Sequence, residues 1–251
     1  MNHPYLTAAA HVRAVDVGPA TVIVNYRGDH AETLIGPAAR WWAELAVTGD
    51  AEKTAALDTA SAQTLREQLL AAGLLKPTAR PKPWPTPTVG PEWVPSWGTH
   101  ELTAGRPEPV PVPLTTTVFA GVALAIVLAT LTAGHRRRRL ARLTRLLNRV
   151  SHRAKRPATI EHARRAVHAV RRAGLLAPGR VACLEESAAV LVLLAASRQR
   201  VMWCHGAAAD PVRLHAWVET DDRQPVAEPP STARFAVLNT IPARDDGGES
   251  D

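Results

Sequence analysis

Apolar and polar positions in the first 76 residues follow the period of short strands and then that of helices. β-branched residues stand on both sides of Gly18-Pro19, which indicates a hairpin. Further on, Leu65, Leu69 and Leu70 share one face of a helix. The expected strands cover residues 12–17, 21–26 and 32–34, and the expected helices cover residues 38–47 and 61–72. This order predicts a winged-helix-like module.

In the second half of the chain the periodicity changes from helical to alternating. Leu140, Leu143 and Leu147 share a helical face, a further helix is expected at residues 159–170, and an apolar helix starts at Cys183 and reaches about residue 196. Four short antiparallel strands are then expected, at residues 201–204, 213–220, 225–228 and 235–241. A helix followed by a small sheet predicts an α+β fold.

Between the two halves lie a proline-rich stretch and an uncharged one. Eleven of the 21 prolines fall between Pro77 and Pro113, so residues 77–113 are expected to form a semi-rigid extended linker. Trp84, Trp93 and Trp97 within it indicate that parts of the linker pack on a neighbour. Residues 114–134 carry no charge and are long enough to span a bilayer, but a helix packed on the following domain fits equally well.

The net charge of +7 is concentrated in one segment, because residues 135–172 hold fourteen Lys or Arg and a single acid, Glu161. Such a segment suits an anionic membrane surface or nucleic acid. The two cysteines, Cys183 and Cys204, have no metal-site spacing, so neither a disulfide framework nor a metal or other cofactor is expected. The first residues lack a secretory signal pattern, which predicts a cytoplasmic protein that either stays soluble or associates with a membrane.

Three residue types capable of covalent catalysis follow one another in the order cysteine, histidine and carboxylate. Cys183 stands at a helix start, where the helix dipole favours thiolate. His215 lies on a strand, and a hairpin of this length could return Glu228 alongside it. Asp221 and Asp222 are nearer in sequence but stand at a turn, so Glu228 is the first choice for the third member and the aspartates stay open.

Four segments carry a resemblance to a known family. They are Cys183-Leu-Glu-Glu-Ser187, Trp203-Cys204-His205-Gly206, His215-Ala-Trp-Val-Glu219 and Pro225-Val-Ala-Glu-Pro229. Together they strongly resemble the leader peptidase of lasso-peptide biosynthesis, a cysteine protease with a transglutaminase-like and papain-like catalytic part. The resemblance covers residues 136–241, roughly the expected catalytic domain at 135–242. Glu186 departs from it, because the family commonly has a basic residue there.

This resemblance implies roles and partners. Cys183 would attack the scissile amide, His215 would shuttle the proton, and an acid such as Glu228 would orient the imidazole. The substrate would be the leader region of a lasso-peptide precursor, and the freed amine would pass to an asparagine-synthetase-like macrolactam cyclase. The backbone N–H of Cys183 would supply one oxyanion donor; the sequence does not identify a second.

The N-terminal unit, residues 1–76, has its own resemblance. Thr21-Val-Ile-Val-Asn-Tyr26 and the ending Gln68-Leu-Leu-Ala-Ala-Gly-Leu-Leu75 are similar to PqqD-like recognition elements of peptide-maturation pathways. Such modules bind a leader peptide as an added strand. Trp41 and Trp42 could line its pocket, although core packing is the expected role of at least one of them. Residues 243–251 are expected to be a disordered tail.

Two alternatives stay open. The same three residues could transfer an acyl group to an amine, as transglutaminases do, because both reactions pass through a thioester. Alternatively, Cys183 and His215 could be structural in a basic, membrane-attached adaptor. The leading interpretation, a leader peptidase, has no nucleic-acid partner.

Overall fold

The computed structural model describes residues 4–91, 110–209 and 211–244. The N-terminal unit contains β1 (Leu6–Ala8), β2 (Val12–Asp16), β3 (Ala20–Asn25), β4 (His30–Ile35), α1 (Gly36–Thr48), α2 (Thr59–Ala71), β5 (Leu75–Pro77) and β6 (Thr88–Val89). The C-terminal unit contains α3 (Leu114–Thr132), α4 (Arg139–Ser151), β7 (Arg156–Pro157), α5 (Ile160–Gly174), α6 (Cys183–Ala196), β8 (Gln199–Arg200), β9 (Met202–Ala208), β10 (Arg213–Glu219) and β11 (Ala236–Ile241). The expected α+β class is confirmed.

The N-terminal sheet has the strand order β4-β3-β2-β6. The expected hairpin is confirmed as the antiparallel pair β2 and β3. Strand β6 comes from the proline-rich stretch and pairs in parallel with β2 at the edge of the sheet, where prolines are tolerated. A separate pair, β1 with β5, was not expected, because each strand has only three residues.

Helices α1 and α2 cover one face of this sheet. Trp41 and Trp42 are both fully buried in that core, so the expectation that they line a peptide pocket is wrong. Trp84 from the proline-rich stretch packs edge-on against Trp42, with ring centroids 5.7 Å apart. Trp93 and Trp97 lie outside the described residues. The likeness to recognition elements and the extent of the linker stay predictions.

The C-terminal unit packs α3, α4, α5 and α6 around one apolar core, against a sheet ordered β10-β9-β11. Helix α6 is central, since nearly all of its residues from Ser187 to Ala195 are buried. Helix α3 is long and apolar enough to cross a membrane by length and composition, although a third of it is buried inside the fold. Its inner face contributes Ala120, Leu124 and Val127 to the core.

One strand expected in the sheet is absent. Residues 225–228 form a loop whose backbone meets β10 at a bridge between Pro225 and Glu219 and at a hydrogen bond from the Val226 N–H to the Val218 carbonyl. Ala227 adopts a positive φ of 53°, and prolines on either side lack the N–H groups a ladder needs. The chain therefore turns away from the sheet just before Glu228.

The two units share a third core. Val15, Val22 and Val24 of the N-terminal sheet pack with Ala207 and Leu238 of the C-terminal sheet. Strand β3 is buried on both faces, which explains its continuous apolar run. A hydrogen bond of 2.6 Å joins Tyr26 Oη to His205 Nδ1 across this contact, and Arg139 pairs with Asp29 at 2.9 Å.

Candidate active site

Cys183 is the first residue of α6. The chain before it is broken by Pro178 and Gly179, and Ala182 enters the helix in an extended conformation. The Glu185 carboxylate accepts the backbone N–H of Ala182 at 3.0 Å, which closes the start of the helix. The first-turn N–H groups have no acceptor within the helix, so they surround the sulfur with positive partial charge.

His215 lies on β10, the edge strand beside this helix start. Its imidazole interacts with the Cys183 thiol, and the backbone N–H of the next residue, Ala216, donates to the same sulfur. The predicted cysteine and histidine are thus brought together. They are 32 positions apart in sequence, and the fold joins them because α6 packs along β10.

Glu228 completes the group from the loop after β10. Its Oε2 is 2.9 Å from His215 Nε2, so Nδ1 is the ring nitrogen left to face Cys183. Thr232 donates its hydroxyl to the same oxygen at 3.4 Å. The imidazole is stacked on the Trp217 ring, with centroids 5.7 Å apart, and contacts Phe235 at 5.1 Å. These contacts hold the imidazole in the orientation in which one ring nitrogen faces Cys183 and the other faces Glu228.

The electrostatics favour an ion pair between the thiol and the imidazole. Burial opposes charge on both groups. For Cys183, the hydrogen bonds from His215 and the backbone of Ala216 prevail, so its pKa is lowered from its ordinary value. For His215, the hydrogen bonds and negative charges of Cys183 and Glu228 prevail and raise its pKa to about 9. Between these two pKa values the site holds a thiolate beside an imidazolium.

Arg171 of α5 holds the carboxylate from its other side. Its guanidinium donates to Glu228 Oε1 at 3.2 Å, to the Ala227 carbonyl at 3.0 Å and to Glu186 Oε1 at 2.6 Å. Glu186, the residue that departs from the resembled family, is therefore occupied by an ion pair inside the protein. Arg171 ties α5 and α6 to the loop that carries Glu228.

A glycine is required opposite the histidine. Gly206 on β9 is the cross-strand partner of His215, and the Trp217 ring lies over it. A Cβ at Gly206 would come within 2.8 Å of that ring and 2.6 Å of the Ala236 carbonyl. The absence of a side chain at Gly206 thus lets Trp217 lie where it supports the imidazole.

Residues 125–240 match the family model described as the transglutaminase-like superfamily, Transglut_core3. This part of the chain is a transglutaminase-like domain. Members of the superfamily are typically cysteine peptidases or acyltransferases. No curated protein and no solved structure matches the chain at a significant level. The match begins within α3, in agreement with the packing of that helix in the core of the transglutaminase-like domain.

The other acids considered from the sequence lie elsewhere in the transglutaminase-like domain. Asp221 forms an ion pair with Arg200 at the surface, and Asp222 is exposed at the turn. Glu219, on the same strand as His215, accepts from Trp217 at 2.8 Å and from Arg244 at 2.6 Å. Glu228 is the carboxylate that reaches the imidazole.

The second cysteine and histidine of the transglutaminase-like domain are both internal. Cys204 is fully buried, and burial raises its pKa, so this thiol stays protonated. His205 is buried against Tyr26, and burial lowers its pKa to about 4, so it is neutral at physiological pH. Across residues 4–91, 110–209 and 211–244, no group of three or more His, Cys, Asp or Glu side chains is placed to hold a metal ion.

Sequence reasoning missed Arg171 because it is one of fourteen basic residues in its segment. A signal was present in the helical pattern, since Arg171 follows Val170 and lies four positions after Val167, at the border of the buried face of α5. Only 17% of its side chain is exposed, in contrast to the exposed arginines on the outer face of the helix.

Proposed function

We propose that this protein is a cysteine peptidase that removes the leader from a lasso-peptide precursor. The observation that carries the proposal is the convergence of Cys183, His215 and Glu228, with the imidazole between the sulfur and the carboxylate. A purely structural cysteine would not need a neighbouring imidazole whose pKa is raised to about 9.

The chemistry follows from the geometry. The Cys183 thiolate attacks the carbonyl carbon of the leader–core bond, and first-turn N–H groups of α6, that of Cys183 among them, stabilise the oxyanion. His215 then gives its Nδ1 proton to the departing amine, which leaves a thioester on the sulfur. The neutral imidazole next takes a proton from water as the oxygen attacks the thioester carbonyl; the C–S bond then breaks, which releases the leader with a free carboxyl group and restores the thiolate. Throughout the reaction the Glu228 carboxylate accepts a hydrogen bond from the Nε2–H group of His215.

The N-terminal unit would bind the leader. Strand β6 occupies one edge of its sheet, whereas the outer side of β4 has no strand beside it among the described residues. Most residues of β4 are exposed, so an extended leader segment could add there as a further strand. The packed core between the units would hold this edge at a fixed distance from Cys183, in addition to the semi-rigid linker predicted for the proline-rich stretch.

The experiment uses the full chain and synthetic lasso-peptide precursors as substrates. Cys183→Ala should abolish cleavage, monitored by mass spectrometry, and should leave leader binding unchanged. Cys204→Ala is the matched control, because it removes the other thiol at a buried site away from the imidazole. Cleavage by Cys183→Ala at the wild-type rate would reject the proposal.

Acyl transfer is the second candidate, because superfamily members include acyltransferases and the same thioester would serve. Adding a primary amine to the reaction separates the two. Hydrolysis gives a leader with a free carboxylate. Transfer gives a leader amide, whose mass exceeds that of the hydrolysed leader by the mass of the amine less one water. The adaptor alternative predicts neither product.

A further inference from the structure

We propose that α3 holds this protein on the surface of an anionic membrane, lying in the plane of the interface with its outer face in the lipid. This inference is independent of the peptidase proposal. It begins from a helix that is apolar all round, a pattern typical of a helix covered on every side. In the described structure only its inner side is covered by protein.

The outer face of α3 forms an exposed apolar stripe. Its large side chains are between 42% and 69% exposed; they are Leu114, Val118, Phe119, Val122 and Ile126. At 3.6 residues per turn these five side chains fall within an arc of about 140°, so they lie on one side of the helix. A contiguous apolar surface of this kind marks an interaction site.

The inner face fixes the orientation of the helix. Ala120, Leu124 and Val127 are buried in the core of the transglutaminase-like domain. Arg142 of α4 caps the far end by donating to the carbonyls of Thr130 at 2.8 Å and Leu131 at 3.0 Å. Crossing a bilayer would expose this inner face to lipid and dismantle the core. The helix can therefore meet a membrane only side-on.

An apolar groove continues the exposed stripe toward α5 and α6. It has a volume of about 970 Å³, and Phe119, Val122 and Leu193 are among its lining residues. Arg165 and His162 of α5 also line it, so an exposed cation borders the apolar surface. This combination offers space for hydrocarbon beside a group that attracts phosphate.

The charge around the stripe selects an anionic bilayer as the occupant. Arg136, Arg137 and Arg138 follow the end of α3 after residues 133–135 and are all exposed. The whole segment from residue 135 to residue 172 contains one acid among fourteen basic residues. An apolar face with a basic border is the pattern of helices that lie in the interface, where the apolar side enters the acyl region and the cations contact headgroups.

The experiment measures flotation of the full chain with vesicles of 70% phosphatidylcholine and 30% phosphatidylglycerol, against vesicles of phosphatidylcholine alone. Binding to the anionic vesicles is expected to be at least tenfold stronger and to weaken with salt. Phe119→Ser with Val122→Ser should reduce it at least tenfold. The matched control, Val47→Ser with Val89→Ser, removes two apolar side chains of the N-terminal unit that are 62% and 79% exposed and should bind as wild type.

Neutralising the three arginines after α3 tests the electrostatic contribution to membrane binding. Each basic residue near an anionic surface contributes about fivefold, so Arg136→Gln, Arg137→Gln and Arg138→Gln together should weaken binding on the order of 100-fold. Circular-dichroism melting should match wild type for every variant, because all altered side chains are exposed.

Three outcomes would overturn the proposal. The first is equal vesicle binding by wild type and the Phe119→Ser/Val122→Ser variant. The second is no vesicle binding, together with a dimer in light scattering that this variant converts to a monomer, since the face would then join two copies of the chain. The third is resistance of bound protein to alkaline carbonate extraction, which indicates a spanning helix.

Discussion

Replacing Glu228 by glutamine would separate the charge of this group from its shape. The carboxylate lies between His215 and Arg171, with Oε2 on the imidazole and Oε1 on the guanidinium. In Glu228→Gln an amide oxygen of the same size can still accept a hydrogen bond from Nε2–H, so the His215 ring should keep its orientation. The negative charge that stabilises the imidazolium is lost.

The size of the effect follows from the pKa of His215. A rise from 6.5 to about 9 corresponds to ~3 kcal/mol in favour of the charged ring, and Cys183 and Glu228 both contribute to it. If about half comes from Glu228, its loss removes ~1.5 kcal/mol, and the Arg171 charge is then offset by Glu186 alone. We therefore expect kcat/KM to fall between tenfold and a hundredfold.

The assay is the rate of Cys183 alkylation by iodoacetamide as a function of pH. In wild type the thiolate forms below the ordinary cysteine pKa, because the imidazolium stabilises it, and the pair persists until the ring loses its proton near pH 9. In Glu228→Gln the pKa of His215 should fall and that of Cys183 should rise. The pH range in which the thiolate–imidazolium pair exists should therefore narrow at both ends. The bell-shaped pH profile of activity should narrow with it.

Asp221→Asn is the matched control. It removes an acid from the turn that follows β10, one that pairs with Arg200 and not with the imidazole. Its alkylation profile should equal that of wild type. An unchanged profile in Glu228→Gln, or an equal shift in Asp221→Asn, would refute the assigned role of Glu228.

Three further substitutions test the supports of the site. Arg171→Met should lower kcat about tenfold with little change in KM, because Glu228 is then held from one side only, and Arg171→Lys should restore part of the loss in the steady-state cleavage assay. Tyr26→Phe leaves the buried Nδ1 of His205 without its partner and should lower the free energy of unfolding by ~1–3 kcal/mol in urea titrations. The pKa of His205 is lowered to about 4, so wild-type stability should fall as the pH drops from about 6.5 toward 4, where only the unfolded chain binds the proton. Gly206→Ala forces a methyl group against the tryptophan ring and should cost ~1–3 kcal/mol, seen as a lower melting temperature.

Each of these has a contradicting result. Arg171→Lys with no more activity than Arg171→Met would mean that a cation there does not position the acid. A Tyr26→Phe protein as stable as wild type would remove the hydrogen bond between the units from the account. A Gly206→Ala protein with unchanged melting would show that the tryptophan ring moves aside freely.

The start of α6 could be predicted from sequence because local signals agree there. Pro178 and Gly179 keep the connection after α5 out of helix, and the helix that Cys183 opens contains an uninterrupted apolar run at residues 188–196. The hairpin of β2 and β3 was predictable for a similar reason, since Gly18-Pro19 separates two β-branched runs. Such features depend on neighbours a few positions apart.

The rest of the fold and of the site depends on contacts between residues that are far apart in the sequence. Glu228 was expected on a strand, but the left-handed conformation of Ala227 places it on a loop, from which it still reaches His215. The contact between Tyr26 and His205 joins residues that are 179 positions apart, and no local sequence pattern predicts this contact. Strand β3 is buried on both faces, and the sequence does not show that one of these faces packs against Ala207 and Leu238 of the C-terminal sheet.

Mass spectrometry of the enzyme quenched in acid during turnover tests the central claim most directly. If Cys183 attacks the leader–core bond, wild type should carry an adduct equal in mass to the leader less one water, and digestion should place it on the peptide that contains Cys183. Cys183→Ala should carry no adduct and release no core peptide. An adduct on Cys204, or steady release of core peptide by Cys183→Ala, would contradict the account.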